Sequence, residues 1–206
     1  VLALENTWHG RTLPLDYLTA AHDVARSHGL GLHLDGARLF NAAVACAVPT
    51  REIARHFDTV SICLSKGLGA PVGSVLVGSH ALIDKARRWR KVAGGGWRQA
   101  GILAAAGLHA LDHHVARLAD DHHRAAYLAG CLREIAGVDL LGQYTNMVFI
   151  DVPAARLREL DVHLQEAGIR ISIGYLPTLR LVTHLDIDDD GISRVVEAFS
   201  AFFSRG

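Results

Sequence analysis

No stretch of this 206-residue chain has the roughly 20 consecutive apolar residues that a membrane-spanning helix needs. The longest candidate, GILAAAGLHAL (101–111), reads as a buried helix. Cysteine is scarce: Cys46, Cys63 and Cys131 are odd in number and share no metal-like spacing. They read as reduced thiols of a cytoplasmic protein. Net charge is missing too, with 21 acidic against 21 basic residues, which argues against nucleic acid or an anionic membrane as the partner. The 13 histidines make that balance sensitive to pH. There are no repeats and no low-complexity segments. The opening, VLALENTWHG, lacks the basic and small-residue features of a secretory leader. Methionine occurs once, at Met147, and the chain opens on Val1 inside a strand-like run, so a piece of a longer protein is expected.

What is present is an alternation of strand and helix signals. VLALE (1–5) reads as a strand, and Pro14 opens a helix, LDYLTAAHDVARSHG, that Gly29 stops. LGLHLD (30–35) is the next strand and ARLFNAAVA (37–45) a helix; FDTVSICLS (57–65) and GSVLVGS (73–79) are further strands. Such alternation predicts right-handed crossovers and a mainly parallel sheet. Helices follow over HALIDKARRWRKV (80–92) and, beyond GGGWRQ, over about 98–136. The pattern then changes to NMVFIDV (146–152) strand, a helix over 154–168, IRISI (169–173) and LRLVTHL (179–185) strands, and a last helix from about Asp189. The fold class is α/β: a large domain, 1–113, with a small C-terminal α+β domain, 114–206, the boundary lying within 110–120.

In an open parallel sheet, ligands bind beyond the carboxyl ends of the strands. Asp35 closes LGLHLD there, Lys66 follows TVSICLS, and Arg38 opens the next helix. A lysine and an aspartate at one edge are commonly an ion pair. After Lys66, however, Gly67, Gly69 and Gly73 permit close backbone approach and Pro71 stiffens the bend. A planar ligand bonded to the lysine suits that bend. Pyridoxal phosphate is such a ligand, with lysine as its Schiff-base partner and a carboxylate at its ring nitrogen. Histidines 109, 113 and 114 with Asp112, and DDHHR (120–124), resemble metal-ligand spacing, but a polar solvated helix face explains them more simply. GLGAPVG is not a dinucleotide fingerprint, because its spacing differs and the lysine precedes the glycines. Ser65 beside Lys66 resembles Ser/Lys hydrolases, but a serine preceding a Schiff-base lysine explains it more simply, and ARRWRK reads as a basic helix end rather than a nucleic-acid patch.

HLDGARLFNA, DTVSICLSKGLGAPVGSVLVG, RRWRKVAGGGWRQAGILAAAG and LRLVTHLD closely resemble the low-specificity threonine aldolases, aspartate-aminotransferase-type enzymes that use pyridoxal 5'-phosphate. The resemblance runs over essentially the whole chain. It implies that Lys66 bonds the cofactor, Asp35 pairs with its ring nitrogen, and Arg38 reaches its phenolic oxygen and the substrate carboxylate. Arg180 would clamp the α-carboxylate. Arg98 would contact the cofactor phosphate of a neighbouring subunit, with Lys91 lining that site. The implied reaction cleaves a β-hydroxy-α-amino acid, threonine or allo-threonine, to glycine and an aldehyde. The implied assembly is a homo-oligomer, a dimer of dimers, with shared active sites. Members of that family carry about a third more chain ahead of the residue matching Val1, including the phosphate loop, the histidine that stacks on the ring and a further active-site histidine. ENTWHG departs from the usual ENTH, which leaves His9 without a family role, and Trp97 stands where methionine is common. A related lyase, hydroxymethyltransferase or racemase, and an incomplete fragment that assembles with a partner subunit, are the alternative readings.

Overall fold

The structure is a computed structural model and describes residues 1–173 and 178–204. The chain divides into two compact units, Val1–Leu118 and Ala119–Gly206.

The first unit is built on a four-stranded sheet. In chain order it holds strands β1 (Leu2–Glu5), β2 (Leu32–Asp35), β3 (Thr59–Cys63) and β4 (Ser74–Gly78), which lie side by side in that order. β1, β2 and β3 run parallel, with Glu5 opposite Asp35 and Asp35 opposite Ser61; β4 returns antiparallel to β3. Helix α1 (Leu15–Ser27) joins β1 to β2. It ends where the sequence says it should: Gly29 takes φ +63° and the Leu30 N–H donates to the Ala25 carbonyl at 2.8 Å. Helices α2 (Leu39–Ala45) and α3 (Thr50–Ala54) join β2 to β3. α3 is too short to leave a periodic signal, and only Pro49 ahead of it marks its start.

Burial alternates along β2: Leu32 and Leu34 are buried, whereas Asp35 is exposed. Leu34 packs with Leu18 of α1, Leu39, Ala42 and Ala43 of α2, Ile53 of α3 and Val60 of β3. This cluster fixes the sheet's inner face and turns His33 and Asp35 to the other. Outside the ladder, Arg26 ties α1 to the start of β3, its Nη2 and Nη1 donating to Asp58 Oδ1 and Oδ2 at 2.7 and 3.3 Å. Asp58 Oδ2 also accepts the Leu32 N–H at 2.8 Å. Those bonds, the one from Arg26 foremost, hold the Asp58 carboxyl below the usual carboxylate range.

Beyond β4 come α4 (His80–Val92) and α5 (Gly101–His113). The single helix expected over 98–136 is two. α5 stops at His114, and α6 begins at Leu118 and ends at Arg133. The break coincides with a side-chain bond made by His114, described below.

The second unit is a three-stranded antiparallel sheet, β5 (Asp139–Tyr144), β6 (Met147–Asp151) and β7 (Thr178–Val182), with α6, α7 (Leu157–Glu166) and α8 (Asp189–Phe203). Its core joins Leu128 and Leu132 of α6, Val148 and Ile150 of β6, Leu160 and Leu164 of α7, and Phe199 of α8. Asp188 caps α8, its Oδ1 accepting the Gly191 N–H at 2.8 Å. One expectation is corrected here, and one strand is added. IRISI is not a strand: residues 169–173 extend beside no ladder, and Ile169, Ile171 and Ile173 instead press onto the core. Strand β5 has no clean alternation because its ladder slips between Leu140 and Gly142, which hid it in the sequence.

Candidate active site

Asp35 and Lys66 stand at the same edge of the first sheet. Asp35 ends β2, and its Oδ1 accepts the Ala37 N–H at 3.0 Å, a turn that carries the chain over into α2. Gly36 is required at this step. Its N–H donates to the Ser61 carbonyl at 2.8 Å, and a Cβ there would lie 2.9 Å from that same oxygen. Arg38 follows as the N-terminal cap residue of α2 and is half-buried.

Lys66 lies three positions past the end of β3, in the bend 64–73 that returns the chain to β4. The Gly69 N–H donates to the Lys66 carbonyl at 2.9 Å, Ala70 to Leu64 at 3.0 Å and Leu64 to Gly73 at 2.9 Å. Gly69 and Gly73 take φ of +71° and +125°, which side chains rarely adopt. Gly67 is needed for space, because a Cβ would come within 3.0 Å of Asn41 Oδ1 and of Leu118 Cδ2. The glycines thus let the bend pack tightly underneath while the Lys66 side chain stays exposed. Lys66 and Asp35 form no ion pair, with each other or with any other described residue. The commonest explanation of the pair therefore fails. Ser65, the would-be hydrolase serine, turns its hydroxyl to Cys63 Sγ at 3.5 Å.

Two residues that the sequence reading passed over belong to this edge. Asn6 follows β1, and its N–H donates to the Asp35 carbonyl at 3.0 Å. Asn6 Nδ2 and Thr7 Oγ1 are both buried, with no hydrogen-bond partner among the described residues. Buried polar groups without partners are rare. Their only sequence signal was polarity directly after an apolar strand.

Residues 1–155 match the beta-eliminating lyase family. The chain belongs to that family. The chain is 47% identical over 205 residues to a low specificity L-threonine aldolase of Escherichia coli, covering all of this chain and 61% of that protein. It is 42% identical over 207 residues to the low-specificity L-threonine aldolase 1 of Arabidopsis thaliana, with 97% and 58% covered. A solved threonine aldolase of Leishmania major superposes with a TM-score of 0.76 at 23% identity, covering 98% of this chain and 60% of that one. The ornithine aminotransferase of Toxoplasma gondii superposes at 0.65, with 20% identity and 98% and 51% covered. The chain thus has the fold these enzymes share, and it spans about 60% of the length of its first relatives.

The remaining expected residues lie on other elements. Lys91 lies in the last turn of α4 and Arg98 beyond its end, both exposed. A Cβ on Gly96 would meet Lys91 Nζ at 2.9 Å, so that lysine folds back over the glycines. Arg180 is in the second unit, on β7 opposite Phe149 of β6, and is exposed. His9 has φ +48° and makes an edge contact with Trp8 at 4.9 Å. The histidine-rich stretches are not merely solvated faces. Asp121 is fully buried, with its carbonyl accepting from Thr183 Oγ1 at 2.6 Å. His122 is half-buried, and burial holds its pKa below the ordinary histidine value. Among the described residues no helix is long and apolar enough to cross a membrane.

Proposed function

We propose that this chain forms the lysine-bearing part of a pyridoxal 5'-phosphate-dependent lyase that cleaves β-hydroxy-α-amino acids, threonine among them, to glycine and an aldehyde. The observation that carries the reading is Lys66: exposed, making no ion pair among the described residues, and set on a glycine bend at the carboxyl edge that Asp35 shares. The residues present fit the cofactor. The amine can bond its carbonyl carbon, the carboxylate can hold its ring nitrogen protonated, and the orphaned Asn6 and Thr7 groups supply polar contacts at the same edge. When bound, the cofactor supplies an electron sink for the pair released as Cα–Cβ breaks.

The chain's own residues then have these tasks. Lys66 holds the cofactor until the substrate amine displaces it, and takes it back afterwards. Asp35 is assigned the ring nitrogen. Arg38, leading α2, is assigned the phenolic oxygen and the substrate carboxylate, and Arg180 the carboxylate as a planar fork. Orientation of the scissile bond follows from holding that carboxylate. Loss of the β-hydroxyl proton and cleavage yield the aldehyde, and protonation at Cα yields glycine. Arg98 is assigned the phosphate of a neighbouring subunit's cofactor, with Lys91 beside it, in a homo-oligomer with shared sites. The protein is assigned to the cytoplasm.

In the full-length protein, borohydride reduction of the cofactor-loaded enzyme followed by peptide mapping should place the adduct on Lys66. L-threonine and L-allo-threonine should each give equal amounts of glycine and acetaldehyde. An adduct on Lys85 or Lys91, or no glycine from either substrate, would overturn the reading.

A further inference from the structure

The bend that carries Lys66 is rich in glycine, so its composition alone does not hold the lysine in place. Helix α5 lies against it from beneath. Gly107, Ala110 and His114 follow at spacings of three and four, on one face of that helix. A Cβ on Gly107 would sit 3.0 Å from Leu64 Cδ1, so α5 approaches as closely as it does because no side chain stands there. Ala110 is buried in one cluster with Leu68, Ala70 and Leu118. At the end of the stripe, His114 is half-buried and its Nδ1 lies 2.6 Å from the Leu68 carbonyl oxygen. A carbonyl can only accept, so Nδ1 carries the hydrogen. The other two histidines of the group, His109 and His113, are exposed and touch each other's rings at 4.4 Å.

Resting on the assignment of Lys66 above, we propose that His114 is a positioning residue for that lysine. Its bond grips the peptide two residues past Lys66, where Gly69 turns to positive φ, and fixes the backbone from which the amine is aimed. His114 closes α5 through its backbone N–H, which donates to the Ala110 carbonyl, while its ring is committed to the bend.

Three variants of the full-length protein test this. His114→Ala removes the donor, His114→Phe keeps a ring without it, and His114→Asn restores it, since the asparagine Nδ2 stands about where Nδ1 does. Ala and Phe should raise the cofactor dissociation constant about fivefold to tenfold, the worth of one hydrogen bond. Both should also weaken the visible circular dichroism of bound cofactor and lower kcat more than they raise KM. Asn should return all three to within about twofold of wild type. Leu128→Ala, in the core of the other unit, serves as a control matched in Tm that should leave the dichroism unchanged. A wild-type dissociation constant and dichroism in His114→Ala and His114→Phe would overturn the proposal. So would changes equal to those of the control, or a failure of Asn to restore what Phe loses. Should Ala fail to fold, the contrast of Phe with Asn still decides. Borohydride mapping keeps the two readings apart: a wild-type adduct away from Lys66 overturns the function and this role together, whereas an adduct on Lys66 in every variant with no other change overturns this role alone.

Discussion

Replacing Gly36 by alanine should damage both the fold and the site, and the structure says how much. The new methyl would lie 2.9 Å from the Ser61 carbonyl oxygen, 3.0 Å from Val60 Cγ1 and 3.3 Å from Leu39 Cβ. Gly36 does not have positive φ, so the cost is steric rather than conformational. The nearest atom belongs to backbone, and it already accepts the Gly36 N–H at 2.8 Å; β3 cannot recede without losing that bond. Overpacking of this kind costs about 1–3 kcal/mol, and a weakened hydrogen bond adds roughly 1. A loss of about 2–4 kcal/mol is expected in denaturant unfolding of the full-length protein. Because Asp35 is the preceding residue, its carboxylate moves with the strand, and cofactor affinity should fall tenfold or more. Urea titration and absorbance titration with pyridoxal phosphate measure the two effects. Destabilisation below about 0.5 kcal/mol, or unchanged cofactor affinity, would show that β2 and β3 have slack at this point and would refute the reasoning.

Gly130 offers the opposite case: it lies inside α6 with nothing within 4 Å of its would-be Cβ, so Gly130→Ala should stabilise by about 0.5–1 kcal/mol, and a lower Tm would contradict this. Asp58→Asn should destabilise at neutral pH. The folded carboxyl sits below its ordinary value, so its contribution is present above the ordinary carboxylate range and disappears as pH falls through the folded value. The pair with Arg26 is 49% and 37% exposed, so screening limits the effect to about 1 kcal/mol. Stability curves of wild type and variant should converge once the pH has fallen through the folded carboxyl's lowered value, and a gap that persists in fully acid-titrated protein would point to packing instead.

The strands of the first unit were legible because each apolar run ends in punctuation: Glu5 and Asn6, Asp35 and Gly36, Ser65 and Lys66, Gly78 and Ser79. The edge that places Asp35 beside the lysine bend followed from parallel topology alone. Asn6, Thr7 and His114 were not legible. Their meaning lies in burial and in one bond to a main-chain carbonyl, neither of which leaves a periodic trace. The Ile169–Ile173 alternation misled for a related reason, since period two records which side chains face a core and not whether a neighbouring strand is there to pair. Asp121 and His122 misled because charge in a helix reads as solvent, and only the fold revealed Thr183 above them.

The antiparallel return of β4 has a consequence for the order in which this site comes together. Lys66 is carried on a hairpin whose two arms are close neighbours in the chain, with Cys63 paired to Ser74. Hairpins of that kind close in about 1–10 μs. Asp35 reaches β3 only after α2 and α3 have folded back across the sheet, a slower search through a longer loop. The lysine's bend is therefore expected to form early and locally during folding, and the carboxylate to arrive beside it later, with the long-range pairing of β2 to β3.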